Sequence, residues 1–174
     1  MTLTKTLAVL LLTAVALVAA GDIPRPAPPL EAKTLDGRTI SLSDLKGKVV
    51  GVYFFSSDCP HCQQTSQMVL APIYSQMKAR GLEILGMAVN PSAATNLRAF
   101  ATQFNAEFPL ALSSTAETNR FAGESVMRRF SVPYLFFVDR QGRIRGDHPG
   151  QDREFWTNQD VNVRAMFEAL LNEK

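Results

Sequence analysis

Two runs in the chain are apolar on both faces: Val49-Val50-Gly51-Val52-Tyr53-Phe54-Phe55, and LEILGMAV from Leu82 to Val89. A strand covered by helices on each side needs such a run, so both are predicted as central strands. Elsewhere the spacing is helical. Met68, Ile73 and Met77 mark a helix over residues 63–80, with Pro72 expected to kink it and Gly81 to stop it. Leu97, Phe100 and Phe104 fall on one face of a second helix over 93–104, and further helices are expected over 119–130 and 160–171. Asp36-Gly37 between apolar residues predicts a hairpin at 35–40, and 108–112 a short strand. Residues 134–138 and 143–145 flank Asp139-Arg140-Gln141-Gly142 as two antiparallel strands. Strands alternating with helices, ending in a hairpin and a helix, make an α/β sandwich around a mixed sheet. Phe54, Phe55, Phe136 and Phe137 belong to its core, and Arg128, Arg129, Arg140, Arg143 and Arg145 read as solvated faces.

The first twenty residues break this pattern. Lys5 is their only charge, Leu7 to Ala20 is apolar apart from Thr13, and Val18-Ala19-Ala20 ends the run in small residues. This is the form of a secretory signal cleaved near Ala20, and the run is shorter than the roughly 20 residues a spanning helix needs. Proline-rich Ile23 to Leu30 reads as an extended tether unable to pack as helix or strand, giving a leader at 1–20, a tether at 21–31 and one domain at 32–174. The 18 basic residues lose Lys5 with the leader, leaving 17 against 16 acidic ones. That balance argues against nucleic acid or an anionic membrane as the main partner. Two cysteines are too few for a disulfide-stapled scaffold and point to chemistry instead.

Both cysteines lie in FFSSDCPHCQQ, directly after the first buried strand. Positions i and i+3 at a helix start share a turn, so a disulfide there opens and closes with little backbone movement. Cys59 stands at the helix N-terminus, where free N–H groups and the dipole favour a thiolate; it is the expected nucleophile, and Cys62 the resolving thiol. Pro60 suits the first helical turn, and His61 adds a positive charge or donor that lowers the thiol pKa further. Two other readings stand beside this one. Structural zinc would need two more ligands, and the other histidine, His148, has no Cys or His beside it. Inert buried thiols also occur at this spacing.

With LDGRTISLSDLKGKVVGVYFF, CPHC and SVPYLFFVDRQGRI in this order, the chain resembles the thioredoxin-fold superfamily and, within it, the TlpA/ResA-like exported thiol-disulfide oxidoreductases. The resemblance runs from about Ala32 to Glu154. It implies a thioredoxin-like three-layer sandwich, a mixed sheet flanked by helices, with the 35–40 hairpin as an N-terminal extension. It also implies a cis proline at Pro133, facing the cysteines and exposing the Val132 backbone to a substrate peptide. Three positions depart from the family. Asp58 stands where a tryptophan is common and opposes the Cys59 thiolate; Tyr53 stands where thioredoxins bury an acid; Ser113 to Val126 is longer than the usual connection.

The resemblance implies a periplasmic or secreted enzyme that exchanges electrons with cysteines of client proteins through Cys59 and Cys62, without metal or other cofactor. Implied with it are a redox-recycling partner that could sit in the membrane, no nucleic acid, and a monomer. Pro-His within the motif matches a strong periplasmic oxidant, whereas the scaffold matches a branch rich in reductases. Two alternatives remain. A peroxiredoxin shares the fold, and Ser56 satisfies its signature three residues before the cysteine, whereas Val52 fails it at seven. A Sco-like copper carrier would use the two cysteines and a distant histidine, for which His148 is the candidate.

Overall fold

The computed structural model describes residues 23–125 and 129–173; the expected leader, Arg128 and the far end of the 113–126 segment lie outside them. Among the described residues there are eight strands: β1 (Arg25–Pro26), β2 (Glu31–Lys33), β3 (Thr39–Ser41), β4 (Val49–Phe55), β5 (Leu82–Ala88), β6 (Leu110–Leu112), β7 (Tyr134–Val138) and β8 (Arg143–His148). The helices are α1 (Pro60–Gln64), α2 (Ala71–Met77), α3 (Ala93–Gln103), α4 (Thr115–Ala122), α5 (Arg153–Thr157) and α6 (Gln159–Asn172). Six strands share one sheet in the order β1-β8-β7-β4-β5-β6. β4, β5 and β6 run parallel, while β7, β8 and β1 alternate in direction. β2 and β3 form the separate hairpin expected around Asp36-Gly37, with Gly37 at φ +85°.

The doubly apolar run of β4 divides by parity between two cores. Val49, Tyr53 and Phe55 join one cluster with Phe100, Phe137 and Phe167, while Val50, Val52 and Phe54 join another with Phe121, Phe136 and Ile144. Alternate side chains of a strand point to opposite faces, so a central strand must be apolar throughout. Gly51 lets α6 close on the sheet, since a Cβ there would lie 2.7 Å from the Phe167 ring.

Several expectations are corrected. The proline-rich segment does pack: Arg25 and Pro26 pair with Ile144 and Arg143 at the sheet edge, where a residue without N–H is tolerated. Arg25 is buried there, donating to the Ala122 carbonyl at 3.0 Å and pairing with Asp147. The helix expected over 119–130 is α4, which starts earlier because Ser114 caps it by accepting from the Glu117 N–H, and stops at Gly123 in the left-handed region. Ser114-x-x-Glu117 is the capping signature that marks this start. Most of the long 113–126 connection is therefore a helix that buries Phe121. The expected helix over 63–80 is broken by a π turn at Thr65–Leu70, in which the Ala71 N–H reaches back to the Ser66 carbonyl. Pro72 follows at the start of α2; it has no N–H to give, and its ring would crowd the carbonyl four residues back in a regular helix. The wider turn shifts the phase, so Met68, placed inward by simple spacing, is 65% exposed. The arginines of the last hairpin are not merely solvated. Arg140 donates to the carbonyls of Leu170, Leu171 and Glu173 at the end of α6, and Arg143 and Arg145 pair with buried Asp139.

Candidate functional site

β4 ends at Phe55, and the chain turns through Ser56, Ser57 and Asp58 to reach α1. Cys59 is the N-cap of that helix: its backbone is extended (φ −85°, ψ 118°), Pro60 follows in the first turn, and its Sγ accepts from the Cys62 N–H at 3.4 Å. An N-cap side chain takes up a backbone donor that the helix leaves unpaired, and an anionic sulfur does so best. Cys62, one turn on, is fully buried, and both cysteines are free thiols.

The pair is strongly polarised. The Cys59 pKa falls from 9.0 to about 6, first through a hydrogen bond from the Cys62 thiol; the backbone N–H groups of Cys62 and His61 and the His61 charge add to this, against the cost of partial burial. Cys62 is pushed far up, first by its bond to Cys59 and then by burial. One sulfur is thus poised as a nucleophile and the other held protonated, donating to it.

Around the sulfurs, sequence-predicted residues fall into different places. Half-buried His61 meets Trp156 of α5 edge-on, ring centroids 5.5 Å apart, and the Trp156 Nε1–H donates to the Pro149 carbonyl at 2.8 Å. Trp156, the single tryptophan of the chain, therefore reaches the site from 95 positions beyond His61, which no local spacing announces. Asp58 is engaged by the turn after β5 and the start of α3. Its carboxylate accepts from the Ser92 hydroxyl, from Asn90 Nδ2 at 3.1 Å and from Asn96 Nδ2 at 3.0 Å, and these bonds, Ser92 first, hold its pKa below the usual range. Ser57 extends the same network, its N–H donating to Asn90 Oδ1 and its hydroxyl to Asn96 Oδ1, while Gln63 Nε2 donates to the Ser57 carbonyl. Asp58 thus fastens the loop that presents Cys59 to the β5–α3 turn.

β7 pairs antiparallel with β4, with Tyr134 opposite Phe54, so Val132-Pro133 and Ser56 to Cys59 leave the sheet side by side at one edge. The Val132–Pro133 peptide is cis, and Val132 packs on the apolar cluster that Cys59 also touches. The loop is braced from behind. The Gly150 N–H donates to the Ser131 carbonyl at 2.8 Å, and a Cβ on Gly150 would sit 2.8 Å from the Val132 carbonyl oxygen.

Tyr53, at the position where the resemblance implies an acid, is wholly buried beneath α1 and donates to the Cys62 carbonyl at 3.0 Å. His148 does not converge on the cysteines as a ligand. Its Nδ1 pairs with Asp152 at 2.8 Å and its ring stacks on Phe155 at 3.7 Å. Among the described residues no group of three or more His, Cys, Asp or Glu side chains gathers as a metal site, and no helix is long and apolar enough to cross a membrane.

Comparison with known proteins agrees with this geometry. The AhpC/TSA family model matches residues 23–146. A Thiol-disulfide oxidoreductase ResA from Bacillus cereus is 26% identical over 126 residues, covering 71% of this chain and 67% of that protein. A chloroplastic Peroxiredoxin Q from Triticum aestivum is 32% identical over 127 residues, covering 72% of this chain and 52% of that one. Among solved structures, a thioredoxin-family thiol:disulfide interchange protein from Chlorobium tepidum superposes with a TM-score of 0.70 at 25% identity, across 88% of this chain and all of its own. The chain belongs to the AhpC/TSA family and is a thioredoxin-fold homologue of the ResA thiol-disulfide oxidoreductases.

Proposed function

We propose that this protein is an exported thiol-disulfide oxidoreductase in which Cys59 attacks and Cys62 resolves. The observation that carries the reading is the polarised pair: a capped, partly exposed Cys59 with a pKa of about 6 beside a buried, protonated Cys62. The Cys59 thiolate attacks one sulfur of a client disulfide R–S–S–R′; the Cys59–S–S–R bond forms and R′–S⁻ leaves. The Cys62 thiolate then attacks the Cys59 sulfur, closing the Cys59–Cys62 disulfide and releasing R–S⁻. Two electrons pass from the dithiol to the client, and a dithiol partner, in the membrane or outside it, restores them. The Val132 backbone beside Pro133 supports strand-like docking of the client segment next to Cys59. Pro60 starts the helix and His61 favours the thiolate. The domain acts as a monomer, outside the cytoplasm, after removal of residues 1–20.

The direction proposed is reduction of clients. A thiolate pKa of about 6 lies nearer the value of about 7 in thioredoxin than the 3.5 or so of the strong periplasmic oxidant. A less stabilised thiolate makes a weaker oxidant, so the equilibrium potential should fall toward the −270 mV or so of thioredoxin and away from about −120 mV. Equilibration with glutathione reads this directly; a value near −120 mV would reverse the direction. The roles are tested by trapping: Cys62→Ala should accumulate mixed disulfides through Cys59, and Cys59→Ala should accumulate few. Insulin reduction and dithiol oxidation unaffected by either change would end the redox reading.

A further inference from the structure

The Cys62 sulfur must become an anion in order to resolve a mixed disulfide, yet it is fully buried and its pKa is driven up by burial and by Cys59. Behind it lies a buried pair of hydroxyls. The Tyr53 phenol donates to the Cys62 carbonyl at 3.0 Å and also lies within hydrogen-bonding reach of the Cys62 thiol. Ser66, one turn after Cys62, is wholly buried, and its Oγ sits near the phenol without a partner at hydrogen-bond geometry. A buried hydroxyl without a partner costs free energy, which a state that satisfies it would recover.

We propose that Tyr53 and Ser66 form a hydroxyl relay for the resolving step, in which the phenol O–H turns from the Cys62 carbonyl to the Cys62 sulfur as that sulfur loses its proton. The Ser66 hydroxyl then takes the vacated carbonyl, the bond a serine makes to the residue four positions earlier in a helix. The inference rests on Cys62 being the resolving thiol. In the mixed disulfide Cys59 no longer carries charge and accepts nothing from Cys62, so the proton of Cys62 is free to leave, and the phenol joins the Ser56 backbone N–H, which already favours the anion, as a side-chain donor to the new charge. The balance is simple: Cys62–S⁻ displaces R–S⁻ from Cys59, and the proton Cys62 gave up ends on R–S⁻ as R–SH. The phenol stays protonated throughout, in keeping with a burial that keeps it from ionising.

Reaction of the reduced protein with equimolar 5,5′-dithiobis(2-nitrobenzoate) separates the steps. Attack by Cys59 releases one thionitrobenzoate, and attack by Cys62 on the resulting mixed disulfide releases the second. In Tyr53→Phe the first phase should keep the wild-type rate. The second should slow about tenfold at pH 7, and the midpoint of its pH profile should rise by about one pH unit, as expected when an anion loses a hydrogen bond. Ser66→Ala, which spares the aromatic packing, should slow the second phase about threefold in the same direction. A second phase in Tyr53→Phe with wild-type rate and midpoint would overturn the relay. So would equal slowing of both phases, which marks loose packing. If the wild type itself releases a single equivalent, Cys62 does not resolve, and the parent reading fails with it.

Discussion

The largest influence on Cys59 is a single hydrogen bond from the Cys62 thiol, and that bond can be removed or replaced without touching the helix. Cys62→Ala deletes the donor; Cys62→Ser keeps one, as a hydroxyl. With a pKa of about 6, about nine-tenths of Cys59 is thiolate at pH 7, against about one-hundredth at its ordinary 9.0. A hydrogen bond to a charged group contributes about 1.5–3 kcal/mol, which is about one to two pH units. Cys62→Ala should therefore titrate with a midpoint between about 7 and 8 and hold about half its thiolate or less at pH 7, while Cys62→Ser should stay within about one unit of the wild type. It should not rise to 9, because the backbone N–H groups of His61 and Cys62 still face the sulfur. Thiolate absorbance at 240 nm, checked by the pH dependence of iodoacetamide alkylation, gives the midpoints. An unchanged midpoint in Cys62→Ala would show that the helix start and His61 suffice alone, and a midpoint at 9 in that variant would show that the N-cap contributes nothing.

The same polarisation couples to stability. A thiol whose folded pKa lies below its unfolded value contributes stability that is complete above about 9 and is lost as pH falls toward 6, so the Tm of the reduced protein relative to Cys59→Ser should climb from pH 6 to pH 9. A flat or falling difference would contradict the shift. Gly150→Ala places a methyl 2.8 Å from the Val132 carbonyl and 2.9 Å from that of Ser131, both backbone and unable to swing aside. It should cost about 1–3 kcal/mol by chemical denaturation and slow reduction of insulin more than that of a small aromatic disulfide; equal effects on both substrates would detach the loop from client docking. Asp58→Asn should leave the Cys59 midpoint within about half a pH unit, since the carboxylate faces Ser92, Asn90 and Asn96, and should lower the Tm through the weakened loop. A midpoint that drops by a full unit would restore Asp58 as an electrostatic opponent of the thiolate.

What was legible in the sequence was what local pattern encodes. The parity of Val49 to Phe55, the Cys59-Pro60 start of α1 and the Asp36-Gly37 turn each follow from neighbours a few residues apart. Two of the misreadings share one cause, which is that a partner distant in sequence overrides the local signal. Proline argues against a strand unless an edge is available, and β8 supplies that edge to Pro26. An aspartate beside a cysteine opposes its ionisation unless its charge is engaged elsewhere, and Asn90, Ser92 and Asn96 engage it from more than thirty residues away. Met68 falls on an inward spacing until a π turn, placed before Pro72, rotates it out.

The same reasoning bears on how the site is tuned. In the primary structure the contest over the Cys59 thiolate lies between His61, inside CPHC, and Asp58, directly before it. In the folded chain Asp58 is tied into the loop, His61 is held against Trp156, and the strongest hold on the thiolate is the other cysteine. A thiolate stabilised by its own resolving partner loses that support when Cys62 is oxidised or removed. Stabilisation by Cys62 therefore belongs to the reduced state alone, and a bond made only in the reduced state favours that state and raises the potential. The helix N–H groups and His61 act on whatever charge Cys59 carries. The share of the pKa shift that disappears in Cys62→Ala is thus the share that the pair itself supplies, and what remains measures the scaffold.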